Sequence, residues 1–431
     1  MSEKIVNIDY VSRVEGEGSV YIKIRENMLE DLQFKIFEPP RFFEALLKGR
    51  KYDEAPDITS RICGICPVAY QLASNQAMEK ALGIKIGGSL KDLRKLLNCG
   101  QWIESHALHI YLLHLPDFFD LPDAISLAKI NPQLVKSGLE LKSIGNIIIS
   151  IVGGRPVHPV NVRVGGFYKV PTKEEIESLR PRVEKGIEII EETLKILAKL
   201  NFPNVEENYE FVAMVKPNEY PMIEGNIASS EGINIPVEKW EENFEEIQVP
   251  YSNAYHVVHK GKGSFITGPL ARYALNYDNL TPRAKELSEK LDFNIVEKNP
   301  YRSIIIRSLE VLVALEEALN IIDRYVPPPL AWIEPKHKIN PGYYASVVEA
   351  PRGLLYHKYF LTSEGMIEEA RIVAPTTMNQ KRMEDDLKHI VSKSLNMDDV
   401  HLMNICEKMI RNYDPCISCA THFLDLKVEK I

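Results

Sequence analysis

Cysteine is scarce in this chain, with six residues in 431. That excludes a disulfide-stapled scaffold, which is cysteine-dense. No apolar run approaches the ~20 residues of a membrane-spanning helix. The longest strongly apolar stretch lies at about Ile147 to Val152, so no direct membrane span is expected. Positive charge is not in excess: 52 Lys and Arg face 60 Asp and Glu, a formal net charge of −8. Without a basic stripe, no nucleic-acid partner is expected. The stretch from Met1 to Asp9 has neither an apolar signal core nor a twin arginine, so unaided secretion is not expected, though a signal-bearing partner could carry the chain out. Internal repeats and low-complexity linkers are also missing. So are a P-loop and a Gly-x-Gly-x-x-Gly word, since Gly261-Lys-Gly263 lacks the third glycine. Any nucleotide acceptor must then bind another subunit.

What is present is ordinary in amount and specific in arrangement. Hydrophobic residues make up 45% and charged residues 26%, as in a globular protein with a large core. Val20, Ile22 and Ile24, then Leu32, Phe34 and Ile36, alternate with polar residues and predict a hairpin within residues 1–40. A helix is expected over about Arg41 to Lys48, closed by Gly49. Lys91 to His114 and Arg302 to Tyr325 read as long helices, the second stopped by Pro327-Pro-Pro329. Val183, Ile187, Ile190, Leu194 and Leu197 recur at helical steps, after a capping-box spacing from Thr172 to Glu175. Tyr343 to Val373 turns β-like again around Ser363-Glu-Gly365. The expected fold is α-rich α+β: a central bundle of long helices, with small antiparallel sheets from the two ends of the chain. One body spans residues 1–431. Its helical part covers 41–330 and a β and irregular part covers 331–422.

Four of the six cysteines form two Cys-x-x-Cys pairs, Cys63/Cys66 and Cys416/Cys419, about 350 residues apart. Pro67 after Cys66 and Asp414-Pro415 before Cys416 place each pair at a helix start, with Asp414 as an N-cap. A helix N-terminus favours thiolate. Four thiolates would suit one soft metal centre. Spacing alone leaves a redox metal, a structural zinc and a thioredoxin-like disulfide all open. Zinc-ribbon pairs, however, usually lie about 15–20 residues apart. The lone Cys99 and Cys406 read as small buried hydrophobes.

The words around the pairs narrow this. Arg61-Ile-Cys-Gly-Ile-Cys-Pro67 and Asp414-Pro-Cys-Ile-Ser-Cys-Ala-Thr-His422 resemble the two metal-binding signatures of the nickel–iron hydrogenase large subunit. Ser12-Arg-Val-Glu-Gly-Glu-Gly18, Arg41-Phe-Phe-Glu44, Ala350-Pro-Arg-Gly353 and Ala374-Pro-Thr-Thr377 fall in the family's order between and before them. The resemblance implies reversible cleavage of H2 into hydride and proton at a Ni–Fe centre whose iron carries CO and CN ligands. It implies that Cys63 and Cys416 bind nickel terminally and that Cys66 and Cys419 bridge to iron. Glu15 becomes the proton gate beside Cys416. Arg352 hangs over the metals with Asp414 as its anchor, and Thr376 can donate to a cyanide. A second site for Mg2+, or iron, is implied at Glu44, His422 and the main-chain oxygen of Ile372.

The sequence departs from better-known members at Glu17, often His there, and at Ser105, where other groups place an acid. His106, His109 and His114 read as core histidines of one helix rather than as zinc ligands. Their offsets put only the first two on one face, and Glu104 reads as a bundle-face residue.

With four cysteines used, a four-cysteine cluster cannot be built from Cys99 and Cys406. Iron–sulfur clusters and flavin are therefore expected only in partners: an iron–sulfur small subunit, flavin/NAD(P)-binding and further iron–sulfur subunits. Maturation factors are also implied, namely nickel-insertion proteins and a maturation protease that removes residues 423–431. The Glu38-Pro-Pro-Arg-Phe-Phe-Glu44 and Glu104-Ser-His-Ala-Leu-His109 words look most like the cytoplasmic, bidirectional sulfhydrogenase group, which uses NADP or polysulfide. The same chemistry coupled to NAD, coenzyme F420 or heterodisulfide reductase is the alternative. A metal-free scaffold like the quinone-pocket subunit of complex I would lack the four cysteines.

Overall fold

A computed structural model describes residues 3–335 and 337–422. The expected maturation peptide, 423–431, lies outside them. The chain opens with an antiparallel sheet, β1 (Glu3–Ile8), β2 (Gly18–Arg25) and β3 (Met28–Ile36), in that order. The alternation in β2 and β3 buries Val20, Ile22, Ile24, Leu32, Phe34 and Ile36 as the sequence predicts. The hairpin is joined by one more strand than expected, because β1 pairs along β2 from Glu3↔Arg25 to Ile8↔Val20.

Helices follow. Short α1 (Phe43–Leu47) ends before Gly49, and α2 (Pro67–Ala81) starts with Pro67 at its first position, immediately after Cys66. The bundle consists of α3 (Gly88–Ala107), α4 (Pro132–Gly153), α5 (Arg180–Leu197) and, later in the chain, the helix over Ser303–Arg324. All five residues of the periodic stripe on α5 are buried. α3 and α4 cross closely at glycines. A Cβ on Gly145 would stand 2.5 Å from the Gly100 carbonyl oxygen and 2.6 Å from the Glu104 amide, so only glycine admits this approach.

Between these helices lie strands that the reading of 41–330 as helical does not contain: β4 (Val212–Val215), β5 (Asn226–Ser229) and β6 (Asn234–Ile235), then β7 (Phe244–Ile247) and β8 (His256–His259). Each is too short to show a period, which is why periodicity misses them. α6 (Ser303–Arg324) packs on α3 and α5. The second half of the chain adds an antiparallel sheet, β9 (Gly342–Ala350), β10 (Gly353–Leu361) and β11 (Ile367–Val373), against which α2 packs. α7 (Pro375–Lys393), α8 (Asp399–Arg411) and the single turn α9 (Ile417–Ala420) complete the fold. No helix among the described residues is long and apolar enough to cross a membrane.

Glu104 sits buried in the α3–α4 crossing and accepts from Lys142 Nζ at 3.0 Å. Burial raises its carboxyl from 4.5 to about 7, against the pull of Lys142. Unfolding would return it to the ordinary carboxylate value. The folded chain therefore holds this proton where the unfolded chain has lost it. Its contribution to stability is complete below about pH 4.5 and is lost as pH rises through about 7. Thermal unfolding between pH 5 and 8 is expected to show a shallower fall in Tm for Glu104→Gln than for the parent. Parallel curves would show that Glu104 does not carry the shift.

Candidate metal centre

The two ends of the chain meet at one buried point. Cys63 lies in the loop that follows the helix Ala55–Ser60, and Cys66 stands at the head of α2. Cys416 heads α9 and Cys419 lies within it. All four Sγ atoms fall within 4.8 Å of one another, and all four residues are buried. Cys63 Sγ lies 3.6 Å from Cys416 Sγ and accepts from the Cys66 amide at 3.0 Å.

Burial pushes the Cys66 and Cys419 thiols up, and the neighbouring thiols of Cys419 and Cys63 push Cys416 up. At Cys63 burial is outweighed by hydrogen bonds from the other three thiols and by the Arg352 charge, and its thiol is held well below the usual value. The helix N-terminus thus fails to lower Cys66, because loss of water costs the thiolate more than the helix end returns. Four soft donors converging at one buried point fit a soft metal centre.

The elements around the thiols are specific. The N-terminal word runs beside the second cysteine pair as a parallel bridge, with the Ile417 amide donating to the Glu15 carbonyl at 2.9 Å. Cys416 Sγ donates to Glu15 Oε2 at 3.1 Å, and the Ser418 amide donates to the same oxygen at 3.2 Å. Gly16 makes this approach possible. Its φ is +90°, and a Cβ there would lie 2.7 Å from Ile417 Cβ. Arg352 occupies the tight turn between β9 and β10, where Ala350 pairs with Gly353. Its Nε donates to the Asp414 carbonyl at 2.6 Å and its Nη2 to Asp414 Oδ1 at 3.0 Å. Its Nη1 is buried without a protein partner. Asp414 has φ +52° and spends its carboxylate on Arg352, so it does not cap α9 as the sequence predicts. The head of α9 is Cys416 itself. Thr376, in the first turn of α7, accepts from the Cys416 amide at 2.9 Å and keeps its own hydroxyl proton free to donate.

A model of the nickel-dependent hydrogenases matches residues 41–138 and 238–422. The alpha subunit of sulfhydrogenase 1 from Pyrococcus furiosus is 34% identical over 98% of this chain and 98% of its own. The alpha subunit of sulfhydrogenase 2 from the same organism is 34% identical over 98% and 100%. The corresponding subunit of the vhc F420-non-reducing hydrogenase of Methanococcus voltae is 31% identical over 97% and 94%. The chain belongs to the nickel-dependent hydrogenase family. Among solved structures, an NAD+-reducing [NiFe]-hydrogenase in the H2-reduced state superposes with a TM-score of 0.89 at 25% identity, covering 97% of this chain and 99% of that one. The [NiFeSe]-hydrogenase of Dm. baculatum shares the fold, with a TM-score of 0.79 at 20% identity over 98% and 100%. This chain is the catalytic large subunit of a nickel–iron hydrogenase, and such subunits pair with an iron–sulfur small subunit.

The hydrogenase core also brings together the residues of the second expected site. Glu44 Oε1 accepts from the Ile372 amide at 2.6 Å, and His422 Nε2 lies 3.1 Å from the Ile372 carbonyl oxygen. His422 Nδ1 is 3.8 Å from Glu44 Oε2. These groups line a cleft of about 710 Å³ that also reaches Cys419, Arg41 and Arg371. A carboxylate and a carbonyl facing one space suit a hard cation.

The three histidines are core residues, as expected. Each Nε2 has a partner: Glu310 for His106, the Arg411 carbonyl for His109, and Asn412 Oδ1 for His114. Burial lowers His106 to about 4 and His114 to about 3, so both are neutral. One detail differs from the expectation. Leu108–His114 is a π-helical turn, whose wider pitch sets residues five apart over one another. His109 and His114 therefore meet, with ring centroids 4.9 Å apart.

The sequence reading did not single out Arg307, Glu38 or Ser418. Arg307 is buried near Arg352 and Asp414, and burial lowers it to about 10. Ser418 stands between the metal cysteines in the quoted word, but its role depends on Glu38, 380 residues away. Ser105 is fully buried and its hydroxyl has no protein partner.

Proposed function

We propose that Cys63, Cys66, Cys416 and Cys419 would together hold the nickel–iron pair. When bound, the pair supplies a soft, electron-rich site at which H2 is polarised and split. The observation that carries this reading is the hydrogen bond from Cys416 Sγ to Glu15 Oε2, which sets a proton acceptor directly on a metal-binding thiol. Glu15 takes the proton from the Cys416 sulfur, and the Ser418 amide steadies the carboxylate for that task. Arg352, held by two hydrogen bonds to Asp414, keeps its buried Nη1 donor available for reacting charge. Thr376 holds the Cys416 backbone, and its hydroxyl would be available to donate to a cyanide on the iron. Glu44, His422 and the Ile372 carbonyl would hold a magnesium-type ion.

Electrons leave this chain for its partner. Cys99 contacts Met222 in the core, and Cys406 is buried on α8 with its thiol pushed up to about 12. Neither belongs to the group of four. The acceptor of the whole enzyme is read as NADP or polysulfide, supported by the two sulfhydrogenase relatives. The same H2 chemistry linked to NAD is the second reading, favoured by the NAD+-reducing structural neighbour. The purified complex, supplied with H2, is expected to carry nickel and iron and to reduce NADP+ or polysulfide. Zinc in place of nickel and iron would overturn the metal assignment. Reduction of NAD+ alone, of coenzyme F420 or of a heterodisulfide would overturn the acceptor.

A further inference from the structure

Arg272 stands apart from the thiols, yet it is built into the turn that carries Arg352. It lies in the short helix Pro269–Asn276, is fully buried, and sits over the Trp102 ring with its guanidinium carbon 4.4 Å from the centroid. All five N–H donors of the guanidinium are used. Nε and Nη2 donate to the two oxygens of Glu310 at 2.7 and 2.6 Å, and Nη1 donates to Glu349 Oε2 at 2.9 Å. The two donors left over go to main-chain carbonyls, Nη1 to Ala350 at 2.9 Å and Nη2 to Pro351 at 2.8 Å. These are the two residues immediately before Arg352.

The start of the same helix holds the turn from its other side. Gly268 has φ +107°, and a Cβ there would stand 2.6 Å from the Arg352 carbonyl oxygen. Gly353 has φ +137°, and a Cβ there would lie 2.8 Å from the Gly268 amide nitrogen. Thr267 Oγ1 accepts from the Leu354 amide at 3.0 Å. The backbone on both sides of Arg352 is thus fixed before its side chain reaches Asp414. Pairing with buried carboxylates needs only a cation. Gripping two successive carbonyls as well takes a planar fork.

We propose that Arg272 is a positioning residue for hydrogen splitting. With Gly268 it fixes the turn from Ala350 to Gly353, and so the root of the Arg352 side chain, while Asp414 fixes its head. The proposal rests on Arg352 serving the reaction as read above. Arg272 acts through Arg352 alone, because its own donors are all spent.

The test uses the purified nickel-loaded complex. Arg272→Lys keeps a cation beside Glu310 and Glu349, but three donors on one nitrogen cannot span both carboxylates and both carbonyls. Per bound nickel, kcat for H2 oxidation is expected to fall about 10- to 100-fold, the scale of a misplacement of about 1 Å, with KM for H2 unchanged. Hydrogen–deuterium exchange over residues 350–354 should rise, and that readout decides even where metal loading is lost. Gly268→Ala presses on the same turn while touching none of the Arg272 ion pairs. It should give the same two changes, and it decides if Arg272→Lys does not assemble. In an Arg352→Lys chain, adding Arg272→Lys should cost no further turnover, because the residue it positions is gone. Losses that multiply would show that Arg272 acts by another path. Parent-like kcat per nickel with only a lowered Tm would make it purely structural. Either result, or parent-like exchange over 350–354 in both single variants, would overturn the proposal and leave Arg352 in place. Parent-like turnover in Arg352→Lys would overturn the reading of Arg352 and the positioning role with it.

Discussion

Replacing Cys419 by serine is expected to abolish hydrogen turnover and to leave the purified chain without a stable nickel–iron complement. Cys419 sits within the single turn α9, buried at the inner end of the cleft and within 4.8 Å of the other three sulfurs. A serine hydroxyl is nearly the same size, so packing around Ala420 and Ile417 should survive and the apparent Tm should move little. What changes is donor chemistry. A hydroxyl is hard and stays protonated, whereas a soft metal needs a polarisable, deprotonated sulfur. Cys406→Ser is the matched control. That cysteine is fully buried on α8 but outside the cluster, so its variant should keep both metals and lose only some stability. Metal analysis and H2-dependent dye reduction on the two variants side by side decide the matter. A full metal complement with normal turnover in Cys419→Ser would refute the assignment.

Glu15→Gln should separate metal binding from proton transfer. Glutamine can still accept from the Ser418 amide through its carbonyl oxygen, so the N-terminal word should stay docked on α9. Its docking does not depend on the carboxylate alone. Arg411 donates to the Ser12 carbonyl at 3.0 Å, and Arg411 joins Arg13 on the carboxylate of Asp117. Both metals should therefore remain. The amide cannot take a proton from the Cys416 sulfur, and exchange between D2 and water should fall by at least about 10²-fold, the usual scale for loss of a general base. Exchange at the parent rate would mean that protons leave by another path, with Arg352 the first group to examine.

The contacts of Glu38 and of Glu15 with Ser418 share one structural cause. The stretch from Glu15 to Glu17 threads between Glu38 and α9, and only a glycine at position 16 lets all three come into contact. Tertiary packing thus makes a hydrogen-bonded line out of three separate words of the chain.

Much of this was legible from residue order. The alternation in β2 and β3, the stripe on α5 and the proline stop after α6 are local patterns, and local sterics and burial suffice to produce them. The cluster of four cysteines was legible for a different reason. Two Cys-x-x-Cys words stand among fixed neighbours that resemble the family's two signatures. The pairing of Glu44, Ile372 and His422 rested on resemblance rather than on any local pattern. Other features are set by contacts between distant segments, to which periodicity is blind. The short strands β4 to β8 are held by pairing partners and not by an apolar alternation of their own. Asp414 looks like a helix cap in the sequence. In the fold it faces Arg352, 62 positions earlier, and a charged partner outcompetes a backbone amide for a buried carboxylate. Glu38 has no signal beyond its place in a word, because its meaning comes from Ser418 and Arg41, which reach it only when the chain's two ends close on each other. Residue types and their spacing settled the chemistry available to this protein. Which carboxylate touches which sulfur followed from long-range packing, since hydrogen bonds act over about 3 Å whatever the separation along the chain.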